Sequence, residues 1–215
     1  MKIIKDKNTL DLAIRYCGLG DTWRSLSYIN YKYPNTNINL MILDRPEYAK
    51  RVKEFLKYTK NNIPSINLRY KSCEAEILKT NFQIIDPNYM DHFEYTKTII
   101  DWKPQKNKVC LHLDGLSWPR NKKPNKNQKL KIIEILDGYD IEYMRGDTDL
   151  LENIKRMSQC EFFIGTDSGF SHISHSVGIK SFILKCKMPL RVIKAYHKHT
   201  DYTLIENVED LRKYI

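Results

Sequence analysis

Glycine is scarce in this chain of 215 residues: eight are present, about half the ordinary share of roughly 7%. Each glycine is therefore expected to answer a specific backbone need. Long apolar runs are missing as well. No stretch reaches the roughly 18 apolar residues of a membrane helix, and the mean hydropathy is -0.56. The opening Met1-Lys2-Ile3-Ile4-Lys5-Asp6-Lys7 breaks its apolar residues with charge, so no signal peptide is expected. Cysteines lack partners in sequence. Cys17, Cys73, Cys110, Cys160 and Cys186 are odd in number and hold no Cys-x-x-Cys pair. That argues against a disulfide framework or a zinc site and points to a reducing, cytoplasmic setting.

What remains is a globular composition, 41% hydrophobic and 29% charged, sufficient for one ordinary domain or two small ones. Lysine and arginine number 36 against 26 acidic residues, a net charge of +10. Such a surplus favours phosphate-bearing or polyanionic partners, although a lysine-rich solvated surface gives the same count.

Apolar stretches alternate between strand and helix periods along the whole chain. Strands are expected near residues 12–16, 38–43, 66–70, 82–85, 109–113, 141–144, 161–164 and 181–184. Helices are expected near 22–33, after Pro46, near 128–136, from a Thr148 or Asp149 cap to Met157, over 170–177, and over 208–214. Residues 86–108 carry no clear period. Their polar run Lys103-Pro104-Gln105-Lys106-Asn107-Lys108 reads as a linker, giving domains 1–102 and 103–215. Strand–helix alternation means parallel, doubly wound sheets.

Six glycines then share an address. Gly18, Gly20, Gly115, Gly146, Gly165 and Gly169 are each expected between a strand end and the next helix. Ligands of open α/β sheets bind outside the carboxyl ends of the strands. Glycine there admits phosphate to backbone N–H groups, and the helix start adds positive potential.

Three strings could carry chemistry. Gly18-Leu19-Gly20-Asp21 sets a carboxylate at a helix start, either as a cap or as a general base. It is not a dinucleotide fingerprint, because Trp23 stands where the third glycine is needed. Gly165-Thr166-Asp167-Ser168-Gly169-Phe170-Ser171-His172 packs hydroxyls, a carboxylate and an imidazole into one turn. It lacks the Gly-x-Ser-x-Gly order of a hydrolase elbow. His172 and His175 share a helix face, but Asp167 is the only further ligand near in sequence, so no metal site is expected. Ser117-Trp118-Pro119-Arg120-Asn121-Lys122-Lys123-Pro124 is a cationic loop, either simply solvated or suited to phosphate.

Together these strings resemble glycosyltransferase family 9, the ADP-heptose:lipopolysaccharide heptosyltransferase group. Gly18 to Leu26, with Tyr33-Pro34 and the strand after it, is similar to the family's opening loop and helix. Gly165 to Ile173, with Gly178, is similar to its Asp-(Ser/Thr)-Gly-x-x-His donor motif, and Leu111 to Pro124 resembles its diphosphate loop. The resemblance implies a GT-B-like α/β fold: two Rossmann-like, doubly wound halves with a cleft between them, the N-terminal half reduced. It implies an inverting glycosyltransferase in which Asp21 takes the proton of an acceptor hydroxyl. Ser117, Lys122, Lys123, Asp147, Asp167, Ser168, Gly169 and His172 would bind a nucleotide-sugar donor. Gly18, Gly20 and Arg24 would lie on the acceptor side or its loop. No metal or other cofactor is required if lysine and helix dipole meet the leaving charge. The acceptor is a saccharide or lipopolysaccharide by family habit, or a hydroxymethylated DNA base by the charge surplus. The other reading is a non-catalytic nucleotide- or nucleic-acid-binding module derived from the same fold.

Overall fold

The computed structural model describes residues 9–16, 18–87, 89–114, 123–197 and 200–215. It divides into two compact units, Met1–Thr96 and Lys97–Ile215. Among the described residues, no helix is long and apolar enough to cross a membrane.

The first unit runs β1 (Thr9–Ile14), α1 (Leu19–Lys32), β2 (Asn37–Leu43), α2 (Pro46–Tyr58), β3 (Ile66–Lys71), α3 (Glu74–Ile77) and β4 (Gln83–Ile85). Its sheet is parallel in the order β3-β2-β1-β4. The chain builds outward from β1 through β3 and then returns to the other side of β1. Helix α1 seats Trp23 against Phe55 of α2, edge to face at 5.2 Å. Gly20 lies inside α1, not in the turn before it.

The segment without a period in sequence has a clear place. Thr96 N–H donates to Ser27 Oγ at 3.2 Å, and Asn30 Nδ2 donates to Thr96 Oγ1 at 3.1 Å. Phe93 meets Tyr28 at 5.9 Å. These contacts lay residues 93–96 across the polar side of α1, which explains why α1 buries Arg24, Ser25 and Ser27 beside its apolar residues. The following residues belong to the second unit. Thr98 N–H bonds Ser176 O at 3.0 Å, Lys103 N–H bonds Ser158 O at 2.9 Å, and Trp102 Nε1 donates to Cys160 O at 2.8 Å. Residues 97–102 therefore go with the C-terminal unit, and the division falls ahead of the polar run.

The second unit runs β5 (Lys108–His112), α4 (Lys126–Ile135), β6 (Asp140–Tyr143), α5 (Leu150–Ser158), β7 (Phe162–Thr166), α6 (Gly169–Val177), β8 (Lys180–Leu184), α7 (Leu190–His197), β9 (Tyr202–Ile205) and a closing 3-10 helix (Val208–Lys213). The parallel order is β6-β5-β7-β8-β9. Helix α7 and strand β9 have no counterpart in the sequence expectation, and the last helix is 3-10 in type. Parallel strands bury both faces. Val109, Leu111, Phe162 and Ile164 pack with Ile132, Ile135 and Leu211 on one side. Cys110 and His112 turn to the other.

Capping fixes where the helices begin. Asn125 accepts from Gln128 N–H at 2.9 Å, and Gln128 Oε1 accepts from Asn125 N–H at 2.9 Å. Asp149 accepts from the N–H groups of Leu151 and Glu152. Such caps are worth about 1 kcal/mol each. Gly178 closes α6 with φ 86°, a left-handed conformation that favours glycine.

Candidate functional site

In each sheet the chain reverses its direction of growth once: between β1 and β4 in the first unit, and between β5 and β7 in the second. The carboxyl ends beside such a switch point are where open α/β sheets bind ligands. Both distinctive strings of the sequence fall at these ends.

In the first unit, Gly18 is the N-cap of α1 and Asp21 lies in its first turn. The Asp21 carboxylate folds back over Gly18: a Cβ built on Gly18 would lie 2.9 Å from Oδ2. The glycine thus makes room for the acid, which is partly exposed. Before the loop, Arg15 Nε pairs with Glu74 Oε1 at 2.8 Å and its Nη1 with Asp86 Oδ2 at 2.9 Å. That fork ties the ends of β1 and β4 to α3. Arg24 turns inward. It is fully buried and donates from Nη2 to Pro87 O at 2.6 Å, which fastens α1 to the chain after β4.

In the second unit, the cationic loop is described only from Lys123 onward; Ser117 and Lys122 lie outside the described residues. Lys123 Nζ stands 3.8 Å from Asp114 Oδ1, and Lys129 Nζ stands 2.8 Å from the same oxygen. The Lys129 hydrogen bond holds the Asp114 carboxyl below its usual range. Asp147 sits exposed in the turn after β6. That turn is built by Asn153, whose buried Nδ2 donates to the carbonyls of Arg145, Thr148 and Asp149 at 3.0, 3.2 and 3.2 Å.

Strand β7 extends through Thr166, so Gly165 is a strand residue and not part of the turn. It is glycine because a Cβ there would stand 2.9 Å from the His112 carbonyl of β5 and closer still to the Phe163 ring. Ser168 follows as the N-cap of α6, and Gly169 begins the helix. Ser171 Oγ accepts from Ser168 N–H at 3.1 Å and donates to Ser168 O at 2.7 Å, so the first turn is closed by its own side chain. The hydroxyls of Thr166 and Ser168 are buried without a hydrogen-bond partner among the described residues.

Asp167, between them, is 2% exposed. Its Oδ1 lies 3.2 Å from His197 Nε2 and 3.5 Å from His172 Nε2. Burial alone would raise this carboxyl, but hydrogen bonding from His172 and His197 outweighs it and holds the group well below the usual carboxylate range. His172 and His175 do not act as a pair. His172 stacks on His197 with ring centres 5.0 Å apart, while His175 Nε2 meets His197 Nδ1 at 3.0 Å. Burial pushes His175 well below the usual histidine range and keeps it neutral.

His197 and His112 have no place in the sequence reading. The spacing Leu190, Ile193, His197 after Pro189 carries a helical signal that would have brought His197 into view. His112 ends β5, sets Nδ1 2.9 Å from Met144 O, and packs edge to face on Phe170 at 4.8 Å. Burial lowers its pKa. It joins the ends of β5 and β6 to the start of α6.

Solved structures share this architecture. A bacterial iron-containing dodecameric glycosyltransferase, TibC from enterotoxigenic E. coli H10407, matches with a TM-score of 0.55 at 12% identity, over 84% of this chain and 58% of its own. A dodecameric iron-containing heptosyltransferase TibC in complex with ADP-D-beta-D-heptose matches with a TM-score of 0.57 at 11% identity, over 94% of this chain and 63% of its own. The chain therefore spans only 58% and 63% of these two proteins. No family model matches the chain, and no curated protein matches its sequence. At these identities the likeness is one of fold: two parallel sheets with flanking helices, as in a reduced GT-B-like glycosyltransferase.

Proposed function

We propose that the chain is an inverting glycosyltransferase that moves a sugar from a nucleotide-sugar donor to an acceptor hydroxyl. The observation that carries this reading is the β7–α6 turn. It puts a helix N-terminus, Gly169 and the buried, unpartnered Ser168 hydroxyl at the switch point of the second sheet, a setting made for a diphosphate. The fold it shares with glycosyltransferases supports the same assignment.

In this reading Asp21 accepts the proton of the acceptor hydroxyl as its oxygen attacks the anomeric carbon. The bond to the nucleoside diphosphate breaks on the opposite face, and configuration inverts. Charge building on the leaving diphosphate meets Ser117, Lys122, Lys123 and the α6 N-terminus, so no metal is needed on the reacting atoms. Asp147, on the turn that Asn153 bonds together, takes ribose hydroxyls in this reading. Asp167 and His172 serve the donor corner from beneath, since both are buried.

Two acceptors fit. A saccharide or lipopolysaccharide core is one. A hydroxymethylated base in DNA is the other, and the +10 charge favours it. DNA binding that stays flat between low and physiological salt would exclude the second. A module that binds without turnover remains the contrasting reading.

The test is a thermal-shift panel of nucleotide-sugars and nucleoside diphosphates, since a ligand of the native state raises its melting point. A selective shift with one nucleotide fixes the donor class, and product formation then identifies the acceptor. No shift with any of them, alongside retained DNA binding, would overturn the transferase reading.

A further inference from the structure

Asp167, His172 and His197 each offer one ligand atom, and these atoms all lie within 4.8 Å of one another. The three residues are 2%, 4% and 0% exposed. We propose that they bind a divalent transition-metal cation, of the zinc or iron(II) class, which locks α7 to the β7–α6 turn.

The Asp167 distances, long for charged hydrogen bonds, leave room for a cation. Charge-assisted N–H···O contacts run at about 2.7–2.9 Å, and Asp167 Oδ1 is 3.2 Å from His197 Nε2 and 3.5 Å from His172 Nε2. Donors bonded to one cation at about 2.0–2.2 Å, at tetrahedral or octahedral angles, stand about 3.0–3.5 Å apart. Both carboxylate–imidazole spacings fall in that range, both imidazoles turn Nε2 toward the same oxygen, and the widest donor pair, within 4.8 Å, closes up when all three take one cation.

The surroundings fit as well. A metal-bound imidazole characteristically has its other nitrogen held by a partner that fixes tautomer and ring orientation. His197 Nδ1 has that partner in His175 Nε2, 3.0 Å away and buried. With three protein ligands, the fourth position is left to water. Two imidazoles and one carboxylate suit zinc, iron(II) or cobalt(II), whereas magnesium and calcium prefer oxygen alone. The cation ties together turn and helix, takes no part in breaking or making the glycosidic bond, and holds whether or not the chain transfers sugar.

The test uses the full chain, free of any affinity tag, stripped with a chelator and titrated with Co²⁺ or Zn²⁺. We expect about one metal per chain by elemental analysis, a Co²⁺ visible spectrum unlike that of the hydrated ion, and a higher melting point on Zn²⁺ addition. His197→Ala and Asp167→Asn should abolish stoichiometric binding, and His175→Ala should weaken it about 10–100-fold. A stripped wild-type chain that takes up no metal, or gives only the hydrated Co²⁺ spectrum, overturns the proposal. Full retention of metal by folded His197→Ala and Asp167→Asn chains also overturns it. If those variants do not fold, the wild-type titration and spectrum alone decide.

Discussion

His197 closes on Asp167, thirty positions earlier in the sequence, with Nε2 3.2 Å from Oδ1. Asp167 belongs to the turn that starts α6, and His197 ends α7. The contact therefore anchors α7 to the start of α6, where residues 170–177 are all buried. Two imidazoles answer this deep carboxylate, and an unpaired buried charge costs several kcal/mol.

The base assignment makes the sharpest functional prediction. Asp21→Asn removes the proton acceptor while keeping the size that lets the side chain fold over Gly18. General-base catalysis contributes about 10²–10⁴-fold, so turnover should fall by that factor. Donor affinity, measured by calorimetry, should stay at the wild-type value. Sugar transfer by the variant at an undiminished rate would sink the assignment.

The cationic loop predicts unequal lysines. Lys123 is already engaged with Asp114, whereas the double change Lys122→Ala with Lys123→Ala removes both lysines of the loop and leaves Arg120. A charged hydrogen bond is worth roughly 1.5–3 kcal/mol, so the double variant should bind nucleoside diphosphate about tenfold or more weakly. Lys123→Ala alone should lose less. Equal affinity of the double variant and the wild type would remove these residues from the donor site.

Strand–helix alternation, both switch-point strings and the Gly178 cap were legible because periodicity and turn chemistry are local properties. Three features were not. Residues 93–105 obey neither period, since they bond to α1 in one unit and to the ends of α5 and α6 in the other. The partner of Asp167 arrives from α7, whose helical spacing is local but whose meeting with the β7–α6 turn is set by tertiary packing. Gly165 looked like turn glycine, yet its requirement comes from the neighbouring strand, and no linear pattern encodes how near a carbonyl of β5 will pass.

That requirement is itself testable. Gly165→Ala should destabilise the second unit by about 1–3 kcal/mol, the usual cost of overpacking a filled core. Combining it with Phe163→Leu should not restore stability. The ring can yield, but the His112 carbonyl, 2.9 Å from the added Cβ, is backbone paired within the sheet. Urea unfolding of the three variants checks this, and full rescue by Phe163→Leu would place the clash in the side chain instead.

The pH dependence of stability should carry the mark of His112. Burial lowers its pKa in the native state below the ordinary value of 6.5, so the unfolded chain binds the proton more readily. The contribution is therefore fully present above about pH 6.5 and is lost as pH falls through that value toward the native pKa. His112→Asn keeps an N–H to offer the Met144 carbonyl, which His112 Nδ1 contacts at 2.9 Å, and removes the titration. Between pH 7 and pH 5 the wild type should lose more unfolding free energy than this variant, read from urea midpoints at each pH. Parallel losses in the two proteins would show that His112 takes up its proton equally well in the folded and unfolded states, and that its burial has no consequence for acid stability.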